Sequence, residues 1–198
     1  MVRRFLFALV CVAGLAACDH KSPASAAPFN GVDITGAEYA RNFSLTDHTG
    51  QPRTLADFKG KVVVVFFGYT QCPDVCPTTM AELAEVKRAL GPDGERLQGV
   101  FITVDPERDT PEVLKGYVTG FDPSFVALRG TPEQTLATAK EFKVFYAKAP
   151  SKGQGAYTMD HTAGAFVIDA SGHVRLFTRY GSGAQAMAQD IKRLIANG

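Results

Sequence analysis

The sequence predicts an α/β domain: a mixed central sheet flanked by helices, with a strand added on its N-terminal side and a hairpin inserted late in the chain. Three observations carry that prediction. Residues 61–69 (KVVVVFFGY) and 99–105 (GVFITVD) are β-branched, aromatic and nearly continuous, as strands buried on both faces are. Thr110-Pro111-Glu112 and Thr131-Pro132-Glu133 each set a hydroxyl cap before a first-turn proline, so a helix starts at each. Ala170-Ser171-Gly172, between the strand-like segments 165–169 and 173–178, reads as the turn of a hairpin.

The elements follow in order. Val2-Arg3-Arg4 is basic and residues 5–16 are uncharged and mostly apolar. A spanning helix needs about 20 apolar residues, so this run reads as an export signal. Leu15-Ala16-Ala17-Cys18 resembles a bacterial lipobox, in which the cysteine is lipidated and becomes the first mature residue. The expectation is a signal peptide over 1–17 and an exported protein held on a bacterial membrane by a lipid on Cys18, its domain facing the periplasm. Residues 18–40 are small, polar and proline-containing, and read as a tether with a solvated His20. The folded domain is then 41–198.

Within it, a short strand over 43–46 ends in the turn Asp47-His48-Thr49-Gly50. The first strong strand, 61–69, leads to a helix over 77–90 with Met80, Leu83, Val86 and Leu90 at helical spacing. After the strand at 99–105 come the helix capped by Thr110, a short strand over 125–128 and the helix capped by Thr131. Residues 144–148 and 156–159 can pair around Lys152-Gly153-Gln154-Gly155 as a flap with His161 at its base. The hairpin 165–178 and a last helix carrying Met187, Ile191, Leu194 and Ile195 close the chain. Strand, helix, hairpin, helix in the C-terminal half is the thioredoxin-like arrangement.

Composition excludes several classes. The formal net charge is +1, and loss of Arg3 and Arg4 with residues 1–17 takes it to −1. Neither value supports nucleic-acid binding, which usually leaves a basic excess. Four cysteines are too few for a disulfide-built scaffold. Processing removes Cys11 and lipidation would block Cys18, which leaves Cys72 and Cys76.

Those two lie in FGYTQCPDVCPTTM (67–80), where the first strong strand gives way to a helix. Sites of open α/β sheets sit at such carboxyl ends. A spacing of i, i+4 puts both sulfurs on one face of a helical turn, and a helix start favours the thiolate. A disulfide, a metal site and a redox centre all remain open on that basis. A purely structural bridge would add little across so short a loop, because the entropic gain grows with loop length.

FGYTQCPDVCPTTM, FITVDPERDTPEVLKGYV (101–118) and DHTAGAFVID (160–169) together resemble the Sco (SenC) family of copper proteins, over about residues 41–198. The resemblance implies a thioredoxin-like fold, and copper held as Cu(I) and/or Cu(II) by Cys72, Cys76 and His161. It also implies a role in assembling the CuA centre of cytochrome c oxidase. The partners would be the CuA-bearing subunit and an upstream periplasmic copper donor or thiol reductant.

The residues themselves support the histidine. All 11 prolines lie at or before Pro150, so no proline stands opposite the cysteines where a thioredoxin-type reductase has one, and His161 takes that place. Two thiolates and an imidazole suit Cu(I), whereas structural zinc normally takes four protein ligands. Asp160 is a candidate acceptor for the imidazole, and Asp74, between the cysteines, could tune loop charge or meet a partner. Met159 is read as core, although a thioether could also face Cu(I). The charged run Asp105-Pro106-Glu107-Arg108-Asp109-Thr110 is a local Asp–Arg network, a docking surface or simply a polar strand-to-helix loop. His48 and His173 are read as solvated turn residues.

The leading expectation is a membrane-anchored metallochaperone. The alternative is a thiol-disulfide oxidoreductase, with Cys72 and Cys76 as redox pair, keeping oxidase-subunit cysteines reduced for metallation. A thiol peroxidase is weaker, since no proline–threonine pair precedes Cys72 in the peroxidase manner.

Overall fold

A computed structural model of the protein describes residues 28–152 and 156–198. The expected signal segment, the lipidation site Cys18, residues 18–27 of the tether, and Gly153, Gln154 and Gly155 lie outside the described residues.

The strands are β1 (Val32–Asp33), β2 (Ser44–Asp47), β3 (Pro52–Thr54), β4 (Val62–Gly68), β5 (Leu97–Thr103), β6 (Val126–Arg129), β7 (Tyr146–Pro150), β8 (Tyr157–His161), β9 (Gly164–Ile168) and β10 (Val174–Arg179). The helices are α1 (Val75–Ala89), α2 (Pro111–Phe121), α3 (Pro132–Glu141) and α4 (Ala184–Ala196). Eight strands form one sheet in the order β1-β10-β9-β4-β5-β6-β2-β3, and β7 and β8 form a second sheet by themselves. β4, β5 and β6 run parallel, while β9 pairs antiparallel with β4 and β10 pairs antiparallel with β9. This is the mixed, helix-flanked, thioredoxin-like sheet that the sequence predicts.

Each element forms where its residues require it. Every residue of β4 and β5 is buried, consistent with their unbroken apolar runs. The side chain of Thr131 accepts from the Gln134 amide while Gln134 Oε1 accepts from the Thr131 amide, a reciprocal cap at the start of α3. α4 turns Met187, Ile191, Leu194 and Ile195 inward. Gly99 is required by close approach, since a Cβ there would stand 2.7 Å from the Phe125 ring.

Four expectations are corrected. The folded body begins before residue 41: β1 pairs with β10, and the amides of Asn30 and Gly31 donate to the Asp190 carboxylate at 3.0 and 2.8 Å. Ala40 is fully buried and its amide donates to the Glu141 carbonyl, so residues 30–40 belong to the domain. The edge of β10 and the buried Asp190 both need backbone donors, and this segment supplies them. Second, α1 starts at Val75, two residues before the expected 77; Pro77 sits in its first turn, where a missing N–H breaks no helical hydrogen bond. Third, β3 was not anticipated, being three residues long and opened by Pro52. Fourth, His48 is half-buried, and its Nδ1 accepts from the Ala127 amide at 3.2 Å, which ties the β2 turn to β6. His173 is exposed, as expected. No described helix is long and apolar enough to cross a membrane.

Candidate metal centre

The site is built at the carboxyl end of β4. Gly68 ends that strand, and a Cβ there would stand 2.8 Å from Cys76 Sγ and 2.9 Å from the Phe101 ring. Glycine is therefore what lets the thiol lie against the strand. The chain then turns through Tyr69 and Thr70, whose position is set by the buried Asp109. The Thr70 amide and hydroxyl donate to its carboxylate at 3.2 and 2.6 Å, and the Thr103 hydroxyl donates to it as well.

Cys72 lies in this loop and is half-buried, whereas Cys76 lies in the first turn of α1 and is fully buried. Asp74 occupies the helix cap position without making a side-chain cap bond. The Cys76 amide donates instead to Cys72 Sγ at 3.4 Å, so one sulfur satisfies an open amide at the helix start.

His161 ends β8, and its Nε2 is 3.4 Å from Cys76 Sγ. Its Nδ1 is 3.1 Å from the Thr162 carbonyl, which can only accept, so Nδ1 carries the proton and Nε2 presents its lone pair toward the thiols. The rings of Phe66 and Tyr69 stand edge-on to the imidazole at 6.0 and 6.1 Å. The donor atoms of Cys72, Cys76 and His161 all lie within 4.8 Å of one another, the one such group of His, Cys, Asp or Glu among the described residues.

Burial pushes the Cys76 thiol well above its ordinary pKa and pushes His161 down. At neutral pH Cys76 is therefore a thiol and His161 a neutral imidazole. The thiolate expected at a helix start is outweighed at Cys76 by burial. A cation among these three donors would reverse that balance by displacing the thiol proton. Two soft sulfurs and one imidazole nitrogen form a donor set that suits copper.

The remaining candidates separate. Asp160 is exposed and alternates with His161 along β8; the Thr162 carbonyl holds the imidazole in its place. Asp74 is exposed, with the Thr78 hydroxyl 3.4 Å from its carboxylate. Met159 is buried, as a core residue is. The 105–109 run is an Asp–Arg network in which Arg108 pairs with the buried Asp105. Sequence reasoning missed Gly68, Thr70, Asp109 and the Thr162 carbonyl. A glycine ending a buried strand just before the cysteine loop was the available signal for the first; the others are contacts between distant segments.

Comparison with known proteins agrees with this geometry. The model of the SCO1/SenC family matches residues 32–196. The mitochondrial protein SCO2 homolog of Mus musculus is 39% identical over 160 residues, covering 78% of this chain and 62% of its own length. The chain thus spans less than two-thirds of that relative. The copper-bound structure of Bradyrhizobium japonicum ScoI is 42% identical with a TM-score of 0.71, covering 77% of this chain and 97% of that one. Apo Sco1 from Thermus thermophilus is 39% identical with a TM-score of 0.75, over 84% of this chain and 97% of that one.

Proposed function

The chain belongs to the SCO1/SenC family, and on that premise we propose that it is a copper-binding assembly factor that delivers copper to the CuA centre of cytochrome c oxidase. The observation that carries this reading is the convergence of Cys72 Sγ, Cys76 Sγ and His161 Nε2 at one point. Cys72 and Cys76 bind one copper ion as thiolates and His161 completes a three-coordinate site. Copper is the cargo. It leaves by ligand exchange without change of oxidation state: each incoming recipient ligand replaces one of the three, and the released thiolates take protons back. The half-buried Cys72 is the ligand a recipient reaches first.

The domain works outside the cytoplasm, held to a bacterial membrane by a lipid on Cys18. The recipient is the CuA-bearing oxidase subunit, and a periplasmic copper donor or thiol reductant acts upstream.

A second reading has one observation in its favour. An accessible Cys72 beside a buried Cys76 is also the pattern of an attacking and a resolving thiol in disulfide exchange. Restoring oxidase activity to a strain lacking this protein separates the two readings. Metal delivery predicts that His161→Ala and Cys76→Ser both fail; full complementation by His161→Ala with failure of Cys76→Ser would establish thiol exchange instead.

A further inference from the structure

We propose that Arg108 is a positioning residue for this centre: it sets the distance between the imidazole of His161 and the two thiols. The proposal rests on the reading of Cys72, Cys76 and His161 as copper ligands. His161 stands on the β7–β8 hairpin, which shares no backbone ladder with the main sheet. Its orientation over the cysteine loop therefore draws on side chains: the Phe66 and Tyr69 rings beside the imidazole, and a polar cluster centred on one guanidinium.

Arg108 Nε donates to the carboxylate of the buried Asp105. Its Nη1 donates to the Gln71 side-chain oxygen at 3.2 Å and to the Tyr157 carbonyl at 2.9 Å. Its plane lies 3.7 Å over the Tyr157 ring centroid and 5.6 Å from that of Tyr69. The Tyr157 hydroxyl donates back to Asp105 at 2.9 Å and closes the circuit. Gln71 immediately precedes Cys72, and Tyr157 opens the strand that His161 ends. One side chain thus joins the loop of the first thiol to the strand of the imidazole, and fixes both to the loop after β5.

Arginine suits this task and lysine does not. Its planar fork donates along two edges while the face stacks on an aromatic ring, which a point-charge ammonium cannot do. Met159 adds an apolar anchor, and Lys148 reaches Glu107 at 2.7 Å in the exposed part of the same seam. The Met159 backbone also hydrogen-bonds Tyr69 in the cysteine loop, but only Arg108 reaches Gln71, the residue before Cys72.

The test uses Arg108→Lys and the paired change Arg108→Gln with Asp105→Asn, which leaves no buried charge unpartnered. Both are compared with wild type and combined with His161→Ala. Copper affinity, the nitrogen hyperfine pattern of the cupric form and amide exchange of the metal-free protein are measured. Each Arg108 variant should still take up one copper, with affinity reduced about 10–100-fold, the range seen when a partner around a metal ligand is lost. The nitrogen signature should weaken, exchange should quicken across residues 157–161, and β4 should stay protected.

In the His161→Ala background the same changes should cost little further affinity, because the residue they act through is gone. Wild-type affinity and exchange in both variants would overturn the proposal. So would an equal loss with and without His161. If wild type itself binds no copper, the copper reading fails, and exchange at 157–161 alone decides whether Arg108 holds the hairpin.

Discussion

In β4 and β5 every residue is buried, whereas among the residues of strands β7 and β8 only Met159 is. The strands β4 and β5 are held by continuous apolar burial, while the hairpin rests on the body through Met159 and through polar and stacking contacts around Arg108 and Tyr157. The metal centre straddles the two. Both thiols come from the body, where Gly68 and Asp109 fix the loop and helix start, and the imidazole comes from the hairpin. Two ligands thus stand on the body, and the third stands on an element outside the main sheet's ladder. A bound ion would connect the regions, so copper loading and hairpin order are linked: whatever orders the hairpin favours the metal, and the metal orders the hairpin.

The largest effect tests the body. Phe101→Ala removes a fully buried ring and should cost about 3–5 kcal/mol in denaturant unfolding. A cost below that range would mean that the sheet, like the hairpin, is loosely packed.

Gly68→Ala sharpens the boundary between the regions. Its Cβ would meet Cys76 Sγ at 2.8 Å, so overpacking should cost about 1–3 kcal/mol and displace the thiol from the imidazole. Reduced copper affinity, with hairpin amide exchange of the metal-free protein unchanged, is the expected outcome in a titration paired with exchange measurements.

The pH dependence follows from the two opposite shifts. Cys76, raised by burial, is a thiol at neutral pH and must lose its proton to bind copper; His161, lowered by burial, is already neutral and releases none. Affinity should therefore rise with pH, by about tenfold per unit from Cys76 alone, throughout the range below its raised pKa. A flat profile between pH 7 and 8 would show that the buried thiol is already ionised.

The smallest effect concerns the hairpin's outer face. Phe145 is 64% exposed beside the strand that carries His161, and Phe145→Ser should change stability by less than about 0.5 kcal/mol. A larger change in the unfolding midpoint would mean that the hairpin packs like the body.

The same division decides what was legible in the sequence. β4, β5 and the four capped or amphipathic helices could be read because burial on both faces, hydroxyl caps and helical periodicity are written residue by residue. Cys72 and Cys76 were legible because thiol chemistry lies in residue type and spacing. His161 needed the resemblance of DHTAGAFVID and the absence of a proline there. β1 has only two residues, too few to show a pattern, so its pairing with β10 and the true start of the domain were not legible. Adjacency makes Asp160 a candidate acceptor for the imidazole but equally lets it point away; strand alternation turns it outward and gives that place to the Thr162 carbonyl. Arg108 was visible as a charge; its reach to Gln71 and Tyr157, 37 and 49 residues away, was not.

The most direct measurement is copper K-edge X-ray absorption on the reduced protein loaded with one equivalent of Cu(I), beside His161→Ala treated alike. Wild type should show two sulfurs and one nitrogen around copper, and the variant two sulfurs without that nitrogen. Identical coordination in the two proteins, or no copper retained by wild type, would contradict it.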